Sequence, residues 1–322
     1  MRIFSDADFR FIEARRKAYV FSGTVILIGV LAMVANVFLI GSWQNYGVDF
    51  TGGSLIQVRF QDDVLANEVR GAITGSVDVT RFDQINEFVI RAPLREEASV
   101  DAVRNEIESQ LAAAFGAGGF EIVRTELVGP KIGDELQTKA LLAILFSFLL
   151  TLIYLAIRFE FRFGMAAVIA TAHDVVITLG FLAVFRLEVA LPTVAAVLTI
   201  LGYSLNDTIV VFDRIRENLG KKGGRKEDQV ALINRSINET LPRTVLTSGT
   251  TMIVLIALLL LGPAVIREFA IVLILGIIGG TYSSIFVASP ALLEIQQRWG
   301  TKEDAHRRKE LKSPRGKQAI PV

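Results

Sequence analysis

Gly202-Tyr203-Ser204-Leu205-Asn206-Asp207-Thr208-Ile209-Val210-Val211-Phe212-Asp213-Arg214 closes an apolar run that begins near Glu188. A helix needs about 20 mostly apolar residues to cross a hydrocarbon core of ~30 Å, and this run has the length. An ionised carboxylate inside such a segment is costly unless it is paired, hydrated or protonated. Asp207 is therefore the first candidate functional residue. Its candidate partner is Arg243, in Leu241-Pro242-Arg243-Thr244-Val245-Leu246-Thr247-Ser248, which opens the next apolar run.

Working outward, six stretches have spanning length, near 18–40, 138–157, 163–185, 189–211, 244–262 and 268–292. The first follows Arg15-Arg16-Lys17 but is too long for a signal-peptide core and lacks a small-x-small cleavage site, so it reads as an uncleaved anchor. Across the 322 residues, 52% are hydrophobic and mean hydropathy is +0.47, while 21% are charged; the charges must be segregated from the spans. A net charge of +1 with no basic domain argues against nucleic acid. The absence of cysteine excludes disulfides, thiolate metal sites and cysteine nucleophiles.

Lys and Arg set the orientation. Threading six spans in order puts the 1–17 segment, Arg158 and Arg162, the basic 212–243 loop and the basic 293–322 tail on one side. That side is expected to be cytoplasmic, with both termini inside and residues 41–137 outside. Within 212–243, Val230, Ile233 and Ile237 stand among charges, as in an amphipathic helix lying along membrane lipid. The tail from Trp299 suits anionic lipid.

The outside segment alternates apolar and polar residues over 54–60, 77–82, 88–91 and 120–128, with helical spacing over 64–73 and 99–115, where Ser99 is the expected N-cap. This βαββαβ order predicts an α+β ferredoxin-like domain: two helices on one face of a four-stranded antiparallel sheet. Its junctions with the membrane are Gly47, Asp49, Gly52 and Gly53 on entry and Gly129 and Pro130 on return. The backbone freedom of the glycines fits a hinge, and a rigid turn equally.

Polar residues inside the spans cluster. The third span holds His173, Asp174 and Thr178, the fourth Ser204, Asn206, Asp207 and Thr208, and the fifth Arg243, Thr247, Ser248 and Thr251. Asp207 and Arg243 lie at compatible depths, and a carboxylate whose charge depends on a movable guanidinium is what proton passage requires. A static pair fixing helix register is the bland alternative. Asp174 is a second proton-handling candidate, His173 reads as a packed histidine, and the Thr/Ser row suits interhelical hydrogen bonding. Gly276 and Gly280 make a small-xxx-small face, for internal packing or a partner. No metal or cofactor site is expected, since the second histidine, His306, is in the tail. No nucleophile–base pair, phosphate loop or metal cluster points to an enzyme.

Gly47-Val48-Asp49-Phe50-Thr51-Gly52-Gly53, Val128-Gly129-Pro130-Lys131-Ile132-Gly133, the 203–214 stretch and Arg243-Thr244-Val245-Leu246-Thr247-Ser248 together resemble the SecD/SecF family of the bacterial Sec export machinery, within the resistance-nodulation-division (RND) superfamily. The resemblance spans essentially the whole chain. It implies six transmembrane helices with a periplasmic domain in the bacterial inner membrane, and a complex with SecD that associates with the SecYEG channel and with YajC. It further implies that proton flow helps move a translocating unfolded polypeptide after the SecA step, with Asp207 handling the proton, Arg243 gating it, and Thr247 and Ser248 alongside. The alternative from the superfamily is a proton-driven exporter of small molecules or lipids. One six-helix half with one small outer domain argues against it.

Overall fold

The structure is a computed structural model that describes residues 7–75, 77–82, 86–92, 100–158, 160–221, 227–262 and 264–298. Ser99 and the tail from Trp299, both given roles above, lie outside the described residues. The helices are α1 (Arg15–Ile40), α2 (Val48–Thr51), α3 (Ala66–Ala72), α4 (Val100–Phe115), α5 (Pro130–Arg158), α6 (Phe161–Phe185), α7 (Leu191–Gly220), α8 (Gln229–Leu261), α9 (Ala264–Ser283) and α10 (Ser289–Arg298). A π-helical turn, Ser284–Ala288, joins the last two. The strands are β1 (Asn45–Tyr46), β2 (Gly53–Phe60), β3 (Asp78–Arg81), β4 (Glu87–Ala92), β5 (Phe120–Val128) and β6 (Glu188–Val189).

Among the described residues, six helices are long and apolar enough to cross a membrane: Ile12–Ile40, Lys131–Leu155, Phe161–Phe185, Leu191–Gly220, Gln229–Leu261 and Ile266–Arg298. They outrun the spans read from hydropathy at one end. α7 continues to Gly220, and α8 starts at Gln229, capped by Asp228, whose Oδ2 accepts from the Ala231 amide at 3.2 Å. The amphipathic 212–243 segment is thus not a separate helix lying on lipid. Ile233 and Ile237 are buried with Val211, Phe212 and Ile215 of α7 and with Ile12, so protein covers the apolar face. The side-chain amides of Asn234 and Asn238 hold the Ile12 and Phe9 backbone against the same helix.

Glycine sets the closest helix approaches. A Cβ on Gly29 of α1 would sit 2.7 Å from the Gly180 Cα of α6, and one on Gly280 of α9 would sit 2.9 Å from the Ser204 Cβ of α7. Gly276 abuts Ile200 of α7 in the same way, so the small-residue face of α9 is spent inside the chain. α5 and α8 instead present Leu145, Phe146, Leu149, Ile253 and Leu260 outward.

Between α1 and α5, residues 53–128 form a four-stranded sheet in the order β3-β4-β2-β5, with every pair antiparallel. Successive strand side chains point to opposite faces. Ile56, Val58, Phe60, Phe88 and Ile90 therefore meet α3 and α4 in one core, through Val69, Val103, Ile107 and Leu111. The other face, with Gln57, Val89, Arg91 and Arg124, looks onto the end of the bundle where α6 leads into α7, across a cavity of about 730 Å³.

Candidate functional site

Asp207 is 2% exposed, on the face of α7 that packs against α8 and α9. Ser248 Oγ donates to Asp207 Oδ2 at 3.3 Å and lies 2.8 Å from Thr281 Oγ1 of α9. Among the described residues Asp207 makes no ion pair. Arg243, its expected partner, is exposed, and Thr247 and Asn206 do not join the cluster: Thr247 donates to the Arg243 and Thr244 carbonyls of its own helix, and Asn206 faces outward. The reason is azimuth. Arg243 and Ser248 are five residues apart, about 140° around a helix of 3.6 residues per turn, so the turn that brings Ser248 to Asp207 leaves the exposed Arg243 outside ion-pair distance.

Asp174 is also 2% exposed but forms a second constellation, one turn of α7 from the first. Its Oδ2 accepts from Ser204 Oγ at 2.5 Å and Ser283 Oγ at 2.7 Å, and its Oδ1 faces His173 Nδ1 at 3.0 Å. His173 Nε2 lies 3.0 Å from Ser22 Oγ of α1, and Ser22 Oγ lies 3.1 Å from Tyr282 Oη. This corrects the expectation that no nucleophile–base pair exists, since Ser22–His173–Asp174 has the connectivity of a hydrolytic triad. Ser22 is 5% exposed between packed helices, and its hydroxyl is engaged by Tyr282.

The junction residues are tied down rather than loose. β1 pairs in parallel with β6 of the α6–α7 connection, the Gly47 amide donates to Val189 O at 2.9 Å, and the Leu191 amide donates to Asp49 Oδ2 at 2.9 Å. Gly52 (φ 70°) and Gly53 (φ 144°) hold left-handed-side conformations that L side chains rarely adopt. Gly129 and Pro130 lead straight into α5, whose Gly133 lies against the Phe50 carbonyl. Arg91 of the sheet pairs with Glu188 of β6. Burial pushes the Glu188 carboxyl above the usual carboxylate range, against the pull of the Arg91 guanidinium.

Sequence reasoning missed Thr281, Ser22, Tyr282 and the Arg91–Glu188 pair. Thr281 carried a signal, a hydroxyl beside Gly280 on a span. The ion pair carried none, its members being 97 positions apart.

Comparison with known proteins agrees with this architecture. The family described as protein export membrane protein SecD/SecF, C-terminal, matches residues 107–298, and the SecD/SecF GG motif matches 45–64. The protein translocase subunit SecF of Gemmatimonas aurantiaca is 44% identical over 316 residues, covering 95% of this chain and 92% of that one. The SecF subunit of Vibrio alginolyticus is 43% identical, covering 88% and 89%. Among solved structures, SecDF of Thermus thermophilus, a translocon-associated membrane protein, superposes with TM-score 0.78 at 39% identity, covering 92% of this chain and 40% of that one. A super-membrane-facing form of SecDF gives 0.66 at 38% identity, covering 94% and 40%. The chain thus spans about two fifths of the solved SecDF chain. With six membrane-crossing helices and these relatives, it is a multi-pass membrane protein that belongs to the SecD/SecF family of protein export membrane proteins.

Proposed function

We propose that this chain uses the proton motive force, together with SecD, to help complete protein translocation across the cytoplasmic membrane after the SecA step. The observation that carries this is Asp207, buried in a spanning helix with a hydroxyl partner and, among the described residues, no ion pair. An ionised carboxylate there is costly unless partners hold it, and a buried acid of that kind is what a proton-handling step requires. Proton loss then favours a rotation or shift of α8 that brings Arg243 inward, and reprotonation releases it. The family resemblance supports the same roles for these two residues. It also supports SecYEG and YajC as associates, an unfolded polypeptide as cargo, and no enzymatic chemistry.

In this reading residues 53–128 are a periplasmic ferredoxin-like domain and both termini are cytoplasmic, as the Lys/Arg bias favours. Arg243, exposed on a spanning helix beside Leu246 and Thr250, calls for cover by the SecD half, which the 40% coverage of SecDF leaves room for. The clamped junction acts as a rigid coupler between the outer ends of α6 and α7 and the sheet. Inverted membrane vesicles from depleted cells, resupplied with this chain and SecD, test the whole reading. Gradient-dependent completion of translocation is expected to return, and its failure to do so refutes the assignment.

The coupler makes its own prediction. In Arg91→Met the sheet loses its pairing with Glu188, at a cost of about 1–3 kcal/mol. The sign with pH follows from Glu188, whose folded-state carboxyl already titrates above its ordinary range. Without Arg91 it titrates higher still. The penalty of ionising it is absent where it is protonated in both states and grows as pH rises past the unfolded carboxylate range. Thermal melts of wild type and variant should therefore differ more near pH ~8 than near pH ~5. A gap that widens toward acid contradicts the assigned coupling.

A further inference from the structure

Among the described residues, the donors and acceptors around His173 can be counted one by one. Tyr282 has one O–H, and it is committed to the Ala18 carbonyl at 2.9 Å. The 3.1 Å contact between Ser22 Oγ and Tyr282 Oη is then donated by Ser22. That uses the single proton of Ser22, so at 3.0 Å His173 Nε2 must carry a proton and donate to Ser22 Oγ. On the other side of the ring, the 3.0 Å gap between Nδ1 and Asp174 Oδ1 is a hydrogen bond only if it too holds a proton. Whether that proton sits on nitrogen or oxygen, the pair holds two protons and no net charge, which suits a site between packed spanning helices.

We propose that His173 and Asp174 form a second proton-holding site, distinct from Asp207, whose loading sets the hydrogen bond between α1 and α9. Removing the proton between Nδ1 and Oδ1, which passes to water, leaves a carboxylate facing a bare ring nitrogen. The ring answers by changing tautomer: the proton on Nε2 is replaced by one on Nδ1, which donates to Asp174 Oδ1. Nε2 then accepts from Ser22, whose hydroxyl leaves Tyr282. The carboxylate stays solvated by the Ser204 and Ser283 hydroxyls. One proton out therefore removes one hydrogen bond between α1 and α9.

The groups facing the pair are few. α1 contributes Ser22, α7 contributes Ser204 with Asp207 one turn further, and α9 contributes Tyr282 and Ser283. The charged residues of α5 lie in its first three turns, from Lys131 to Lys139, and in its last, at Arg158, and those of α10 are Glu294 and Arg298. None makes an ion pair with His173 or Asp174. As a step in a proton-driven cycle the switch rests on the function proposed above. As a property of the pair it does not.

The chain has two histidines, so full-length His306→Gln with ¹⁵N-labelled imidazole leaves a single ring to observe, in lipid nanodiscs. The expected result is an Nε2 that is protonated at low pH and becomes an unprotonated acceptor as pH rises, while Nδ1 remains or becomes the protonated nitrogen. An Nε2 in one state across the range from about pH 5 to about pH 9 overturns the proposal. Asp174→Asn should abolish the switch, and Ser22→Ala should remove the hydrogen-bonded form of Nε2. Asp207→Asn separates the two readings: it should stop proton-driven export and leave the His173 switch intact. A switch that vanishes in Asp207→Asn refutes the independence of the second site.

Discussion

Asp207→Asn is expected to bring export down to the level seen when the proton gradient is collapsed, while the chain still assembles with SecD. Asparagine matches the size of aspartate and offers the same oxygen to Ser248, so the packing between α7, α8 and α9 survives. What disappears is a group that gains and loses a proton. The folded chain should be at least as stable as wild type, because a buried carboxyl that must sometimes ionise costs more than an amide. Gradient-dependent translocation in inverted vesicles, together with co-purification and a thermal melt, makes the comparison. Full stimulation in the variant would falsify proton handling at Asp207. Loss of assembly along with activity would instead assign the residue to packing. Asp207→Leu, which gives Ser248 no acceptor, should lose both export and stability.

The spans were legible because bilayer length is a one-dimensional property, and a run of apolar residues such as 163–185 declares itself. Asp207 was legible for the same reason: a charge in such a run is conspicuous. The continuation of α8 was not, since the pattern at Val230, Ile233 and Ile237 is the same whether lipid or protein covers it. A direct ion pair with Arg243 is not formed here because depth along two helices can be counted from sequence, whereas azimuth is set by which residue first meets the neighbour. Here Ser248 meets Asp207 and carries Arg243 round to the outside. His173 read correctly as hydrogen-bonded, but its partner Ser22 lies 151 positions away, and a lone serine in an apolar helix gives no sign of where it points.

The buried residues of α1 show how that helix is held and where it is weakest. They are Ala18, Ser22, Gly29 and Asn36, the last three spaced by seven, so a single narrow seam meets α6. At its centre the Gly29 and Gly180 backbones touch, with no side chain able to move aside. On either side are polar ties, Ser22 to His173 and the Asn36 amide donating to the Ala183 carbonyl at 2.9 Å. Both need the close approach that glycine permits. Gly29→Val should therefore drive α1 off α6, costing about 1–3 kcal/mol for overpacking and ~0.6 kcal/mol for each tie lost. Gly23→Val is the matched control: same helix, same substitution, and nothing within 4 Å of the added Cβ. In detergent melts the first variant should unfold several degrees below wild type and the second close to it. Equal midpoints for the two would mean that the α1–α6 seam does not hold this helix. A large drop confined to Gly29→Val would mean that the close approach of the Gly29 and Gly180 backbones holds α1 in place.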